Sequence, residues 1–478
     1  MNFSFATFLP LLPVIVLSLT TVTLMLAIAI KRHHTTSFWI TAAGFLLSLL
    51  SMQYTPAFSD SVATPVTGLL LFDGQAYFYT MLILFAGLVC AFFLRNFIQS
   101  YQGNREEIYL LLLISVAGGL VLVASSHMAS FFIGFELLSV PLYGMVAYTH
   151  ERNRALEAGI KYLILSAAAS AFMLFGMALV YAQVGTLSLI GLSKSVLIAD
   201  SYLAGFGVAM IVIAMCFKLS LTPFHLWTPD VYQGAPAPVG ALLATISKVA
   251  VFAILIRLLV QAPDELTHFL QPILVVILIA SIVVGNLLAL TQNNVKRMFA
   301  YSSIAHMGYL FIPLVAGYEV DVKAVNVYLL AYVVTTLGAF GAISAISAAA
   351  NTGDCETLDN FRGLFWRNPY LGGAMVFIML SLAGIPLTTG FIGKFYVFMS
   401  AVNTSSWGLL AALILGSGVG LYYYLRLMIA LFSRDAIQSD TPVLINRSSA
   451  ILVVLMAMLV VWLGIYPQPS LEFIATLK

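Results

Sequence analysis

The chain has 478 residues, of which 61% are hydrophobic and only 8% charged, with a net charge of +2. Soluble domains carry about 25% charged residues, so a water-soluble core is excluded. What remains is an all-α, multi-pass membrane protein with short loops, a single membrane domain over residues 1–478 with no stretch long enough for a separate soluble domain. Cys90, Cys216 and Cys355 lie far apart and lack any C-x-x-C or Cys/His spacing, which argues against zinc and iron–sulfur clusters. No Gly-rich phosphate loop follows a strand, and no basic tail points to nucleic acid.

A spanning helix needs about 20 predominantly apolar residues. Scanned on that rule, the chain predicts about fourteen such helices. In chain order they cover Phe8–Ile30, Ser37–Met52, Gly74–Leu94, Ile108–Ser125, Met128–Tyr148, Ala158–Ala182 and Tyr202–Leu221. Then come Val239–Leu259, Pro272–Thr291, Arg297–Ala316, Val322–Ala350, Tyr370–Ala401, Trp407–Phe432 and Ser449–Tyr466. The first run is too long for a signal-peptide core and has no basic flank before it, so it reads as a retained helix. The second is short, and the twelfth is too long for one straight span.

Basic residues test this count, because cytoplasmic loops concentrate lysine and arginine. Loops after odd-numbered helices hold Lys31, Arg32, Arg95, Arg105, Arg152, Arg154, Lys296, Arg297, Arg362, Arg367, Arg434 and Arg447. Loops after even-numbered helices hold only Lys194 and Lys323, with Lys478 at the C-terminus. The acids at Glu106–Glu107 and Asp354–Asp359 count little in this rule. Both termini are therefore expected on the periplasmic side and the basic loops in the cytoplasm.

Two helices carry their own interruptions. The seventh meets Pro223, whose ring leaves the Leu219 carbonyl without its helical partner. The twelfth contains Gly384-Ile385-Pro386-Leu387-Thr388-Thr389-Gly390, too dense in glycine and proline to stay helical. Broken backbone at membrane depth is tolerated only inside protein or beside a wet cavity. The breaks lie five helices apart, and an odd offset makes the two helices antiparallel. That pattern predicts two inverted five-helix repeats, residues 108–260 (helices four to eight) and 272–432 (helices nine to thirteen). Residues 1–100 then hold helices one to three, and 449–466 helix fourteen.

Few titratable groups fall well inside these helices: Glu136, Lys161, Lys218, Lys248, His306 and Lys394. A charge at the bilayer centre costs at least a few kcal/mol and marks function by default. Glu136, alone among carboxylates near mid-membrane, is expected to pair with Lys218 as a gate. Lys248, His306 and Lys394 are expected to continue a hydrated path, since buried amines can take and release protons when water joins them. Blander readings stand beside this one: Lys161 snorkelling to the surface, His306 as a hydrogen-bonded core residue, His225 at the break as a cap or a proton-handling group, and Arg257 and Arg426 as anchors or packing.

The motifs KLSLTPFHLWTPDVYQGAPAPV, SKVA, NNVKRMFAYSSIAHMGY and SLAGIPLTTGFIGKFYVF resemble those of the antiporter-like membrane subunits of bacterial NADH–quinone oxidoreductase, respiratory complex I. The resemblance runs from the third helix to the fourteenth and is greatest to the branch called subunit N. It implies a proton-pumping subunit, with Glu136, Lys218, Lys248 and Lys394 at the family's positions in helices five, seven, eight and twelve, and His306 at the polar position of helix ten. Lys394 stands where the M branch carries glutamate, and the chain has no room for the long lateral helix of the L branch. Leu387 replaces a second proline found in many relatives, which leaves the sharpness of that break open. The resemblance further implies a bacterial inner-membrane location, neighbours such as subunits M and K, and no cofactor on this chain. FMN, iron–sulfur clusters and quinone would belong to partner subunits. Two other readings share the pattern: a subunit of an Mrp-type cation/proton antiporter or membrane-bound hydrogenase, and a stand-alone secondary transporter.

Overall fold

The computed structural model describes residues 5–55, 63–101, 103–151, 153–189, 202–262, 264–317, 320–350, 355–433 and 446–477. Arg152, Lys194, Asp354, Arg434 and Lys478 lie outside the described residues. Helices dominate. The first part holds α1 (Leu12–Ile30), α2 (His34–Ser51), a small hairpin of β1 (Thr64–Val66) and β2 (Leu70–Phe72), and α3 (Gly74–Phe97). Then follow α4 (Glu107–Val123), α5 (Met128–Val146), α6 (Asn153–Val184), α7 (Tyr202–Lys218), α8 (Trp227–Gly234), α9 (Ala237–Ala244) and α10 (Ile246–Gln261). The second part runs through α11 (Asp264–Leu290), α12 (Val295–Val315), α13 (Val322–Ala350), α14 (Leu358–Phe361), α15 (Leu364–Arg367), α16 (Pro369–Ala383), α17 (Thr389–Asn403), α18 (Trp407–Phe432), α19 (Arg447–Ile465) and α20 (Gln468–Thr476).

Among the described residues, 11 helical stretches are long and apolar enough to cross a membrane alone. The expected spans missing from that set are the shorter pieces Glu107–Val123, Tyr202–Lys218 and Pro369–Ala383, two of which end at the interruptions read from Pro223 and Pro386. Large apolar side chains such as Leu19, Phe172, Val276, Leu415 and Ile451 are exposed on the outside, as lipid contact requires. The interior is built from α9–α10, α12 and α13, whose residues are almost all buried. Polar side chains such as Lys218, Lys248 and His306 converge on this buried centre.

Both interruptions find partners for exposed backbone groups, some nearby and some on other helices. At the first, α7 ends at Lys218, and the Ser220 and Leu221 amides turn back to the carbonyls of Phe217 and Cys216. The Thr222 amide donates to Ser281 Oγ on α11 at 2.9 Å. Trp227 Nε1 donates to the Phe217 carbonyl at 3.1 Å. At the second, Gly384 adopts φ 84° as the left-handed residue that ends α16. Leu387 also has positive φ, 72°, and the Gly390 amide donates to Ser381 Oγ at 3.1 Å. With Leu387 in place of a second proline, the break is still complete.

The eighth expected helix differs from its prediction as one continuous span. It is kinked at Thr245, between α9 and α10. The Thr245 hydroxyl donates back to the Ala241 carbonyl at 2.7 Å, and such back-bonding bends helices. Lys248 follows the kink directly.

Candidate functional site

Side chains from both halves of the chain form three polar groups inside the helices. The first lies between α5, α6 and the end of α7. Lys218 is fully buried and donates to Ser139 Oγ at 2.7 Å and to Tyr162 Oη at 2.8 Å. Its ammonium also lies 4.9 Å from the centre of the Tyr162 ring and 5.3 Å from that of Phe135, close enough for cation–π attraction. Glu136 is partly buried and accepts a hydrogen bond from Ser170 on α6. The direct Glu136–Lys218 ion pair expected from the sequence is not formed. Ser139, one turn along α5 from Glu136, takes the ammonium instead.

The second group centres on Lys248, also fully buried. It donates to Ser303 Oγ on α12 at 2.6 Å and to the Leu219 carbonyl at 3.3 Å. The carbonyl that Pro223 deprives of a helical partner is thus satisfied by the lysine of the next span. Ser303 shares a hydrogen bond with Tyr332 on α13 at 2.8 Å.

The third group contains His306 and Lys394. His306 is 5% exposed and is bracketed by two hydroxyls, Nδ1 with Tyr328 at 2.7 Å and Nε2 with Tyr424 at 3.0 Å. Tyr424 also bonds Ser302. An imidazole held on both nitrogens can receive a proton on one side and release one on the other. Lys394 donates to the Leu382 and Ala383 carbonyls at 3.1 and 2.9 Å. Its positive charge therefore sits on the negative end of the α16 dipole, repeating at the second break what Lys248 does at the first. A cavity of about 10 Å³ touches His306, Tyr332 and Lys394, and another of about 10 Å³ touches Ser303 and Tyr332. Each has the scale of a single water site.

The remaining sequence candidates fall elsewhere. Lys161 reaches the surface, its side chain 42% exposed, where it pairs with Glu157 at 2.7 Å and Asp230 at 2.8 Å. Arg257 forms a buried ion pair with Asp73 at 3.0 Å. Arg426 caps α11 through the Leu290 and Gln292 carbonyls at 3.2 and 3.3 Å, the packing role expected of it. The His225 carbonyl accepts the Thr228 amide at 2.9 Å in a backbone turn, its Nδ1 is buried without a partner, and α8 has no side-chain cap.

Sequence reasoning missed Ser139, Tyr162, Ser170, Ser303, Tyr328, Tyr332, Tyr424 and the carboxylate of Asp230. The hydroxyls are spread over α5, α6, α12, α13 and α18; Tyr162 and Ser170 share α6 and Tyr328 and Tyr332 lie one turn apart on α13, a pattern that by itself marks no site. Asp230 did carry a signal, as an acid seven residues beyond the Pro223 break. It accepts from Lys161 and from Arg297 at 2.6 Å.

The transmembrane family described as NADH:quinone oxidoreductase/Mrp antiporter matches residues 125–420. The chain belongs to this family. It is 50% identical over 472 residues to the NADH-quinone oxidoreductase subunit N of Ectopseudomonas mendocina (strain ymp), covering 97% of this chain and 95% of that one. Among solved structures, a chain of respiratory complex I from Thermus thermophilus with bound aureothin matches with TM-score 0.82 and 33% identity, over 96% of this chain and 98% of the other. A chain of the Mrp complex from Dietzia sp. DQ12-45-1b has TM-score 0.87 at 19% identity, covering 99% and 97%, and shows the shared fold. In family terms the three groups sit on the matched segment, from Glu136 to Lys394, with Tyr424 just beyond it. The chain is a multi-pass membrane protein of antiporter-like fold.

Proposed function

We propose that this chain is a proton-translocating membrane subunit of an NADH–quinone oxidoreductase. The observation that carries the reading is the set of buried Lys218, Lys248 and His306 with the part-buried Lys394, each joined to hydroxyls or to the carbonyls of a broken helix. The 50% identity to subunit N supports complex I over the Mrp-type alternative, which shares the fold at 19% identity. A stand-alone transporter is disfavoured by the polar interior, which is made of titratable groups and hydroxyls suited to handing on protons.

Glu136 and Lys218 act as a gate through Ser139 and Ser170, and Lys248, His306 and Lys394 pass the proton on. Residues 108–260 and 272–432 form the two inverted repeats. This is supported by the matching way Lys248 and Lys394 meet the carbonyls of the interrupted helices. The protein sits in the bacterial plasma membrane with both termini outside, as the basic loops indicate. Subunits M and K flank it, and FMN, iron–sulfur clusters and quinone are held by partners.

The test is Lys248→Met in the assembled complex. The expected result is normal NADH oxidation with an artificial acceptor and fewer protons moved per NADH. Unchanged pumping in an assembled complex would remove Lys248 from the path.

A further inference from the structure

Outside the three polar groups, the turn between α1 and α2 meets the end of α3 and the start of α4 in a charged corner. Lys31, Arg32 and His33 are exposed in that turn. Arg32 pairs with Glu107 at the start of α4 at 2.7 Å, and His34 Nε2 shares a hydrogen bond with the Tyr109 hydroxyl at 2.9 Å. Glu106 accepts the Arg105 amide at 3.2 Å, and Arg105 turns its Nε to the Tyr101 carbonyl. Lys31 and Arg95 are left with no ion pair among the described residues.

Arg95 lies in the last turn of α3. Its guanidinium rests over the rings of Phe38 and Trp39 on α2, 4.6 and 5.6 Å from their centres, close enough for cation–π attraction. Stacking of this kind uses no N–H. Among the described residues nothing accepts from the guanidinium, and none of its nitrogens is buried. Arg95 is thus a fork fixed by its flat face with its donors open, and such a fork matches a phosphate. What lies beside it follows from α2. Trp39 is 55% exposed, and Leu46, Leu47 and Leu50 are 48, 57 and 59% exposed. With the exposed Ala43 between them, they recur every three to four residues and form one apolar stripe down the helix. The stripe starts at the tryptophan that carries Arg95, and tryptophan belongs at the level of lipid headgroups.

We infer that this corner binds an anionic phospholipid, with its phosphate held by Arg95 and Lys31 and one acyl chain laid along the α2 stripe from Trp39 to Leu50. Charge and shape together select that ligand. A soluble phosphate would use the fork and leave the stripe uncovered. A zwitterionic lipid would use the stripe but bring its own cation to two cations that lack a carboxylate. Only a lipid of net negative charge satisfies both parts. The site lies apart from the buried lysines and stands whether or not they carry protons.

The test uses the assembled complex in phosphatidylcholine vesicles that hold a trace of a photoactivatable lipid. In one set this is phosphatidylglycerol with a diazirine in an acyl chain, and in the other phosphatidylcholine with the same diazirine. After illumination, mass spectrometry reads the label on residues 36–50. Phosphatidylglycerol is expected to label this stretch more than phosphatidylcholine does. Arg95→Gln and Lys31→Gln should each lower its label about fivefold, the effect of one basic side chain at an anionic surface, and leave the phosphatidylcholine label unchanged. Excess inorganic phosphate should displace nothing. Equal labelling by the two lipids overturns the site, as does full labelling of either variant. Displacement by inorganic phosphate makes the fork a soluble-anion site, and no label from either lipid shows the stripe covered by protein; both outcomes also overturn it. Where Arg95→Gln does not assemble, the exposed Lys31→Gln carries the test.

Discussion

Lys248 and the Leu219 carbonyl show how single residues were partly legible. The lysines stood out in the sequence because an ammonium among apolar residues has few structural excuses. The orphan carbonyl stood out because proline cannot donate to it. That the one answers the other, at 3.3 Å across 29 residues of chain, depends on how α10 packs against the end of α7, which no local pattern encodes. The missing direct contact between Glu136 and Lys218 has the same origin, since the hydroxyls of Ser139 and Tyr162 hold the ammonium. Arg257, read from sequence as an anchor, proves to be a buried partner of Asp73. Removing one member of a buried pair typically costs about 3–5 kcal/mol, because the other charge is stranded. Asp73→Ala should therefore lower the thermal dissociation temperature of the complex, and the double change Asp73→Leu with Arg257→Met should recover much of the loss. A double variant no better than the single one would show that Arg257 is stabilised by other groups. Lys161→Met should be milder than Lys218→Met in pumping assays, since Asp230 keeps Arg297 when Lys161 is gone.

At the scale of elements, both breaks could be read from glycine and proline, and the kink at Thr245 could not. Pro223 and Gly384 act through covalent geometry, which is local and visible in sequence. Thr245 back-bonds to Ala241, but Thr335 makes the same bond to Ala331 within the continuous α13, so the residue type alone does not mark the kink. The second break further depends on close approach. A Cβ added to Gly390 would lie 1.9 Å from the Ser381 carbonyl oxygen, and backbone there has no room to yield. Gly390→Ala should push α17 away from α16 and displace Lys394 from its carbonyls. The cost should match or exceed the about 1–3 kcal/mol of ordinary overpacking. The measurement is the amount of assembled complex together with its pumping, and a fully assembled, fully pumping Gly390→Ala enzyme would contradict the packing described. Gly408, by contrast, has nothing within 4 Å of its added Cβ, so Gly408→Ala should be silent.

For the whole molecule, composition excluded a soluble fold at once, and the alternation of basic loops gave an orientation. A cysteine placed at Arg362 should resist impermeant labelling reagents applied outside sealed cells, and ready labelling there would reverse the topology. The path itself emerges only when the chain is folded, because its lysines and histidine on α7, α10, α12 and α17 meet hydroxyls and carbonyls of other elements that are unremarked in sequence. Its central claim is that protons occupy and leave these buried amines in turn. The most direct measurement is proton pumping per NADH by the assembled complex carrying Lys218→Arg. Arginine keeps the positive charge but hardly deprotonates. The account predicts impaired pumping with intact NADH oxidation, close to the result for Lys218→Met. Normal pumping by Lys218→Arg would contradict it, leaving Lys218 as a fixed charge and not a carrier of protons.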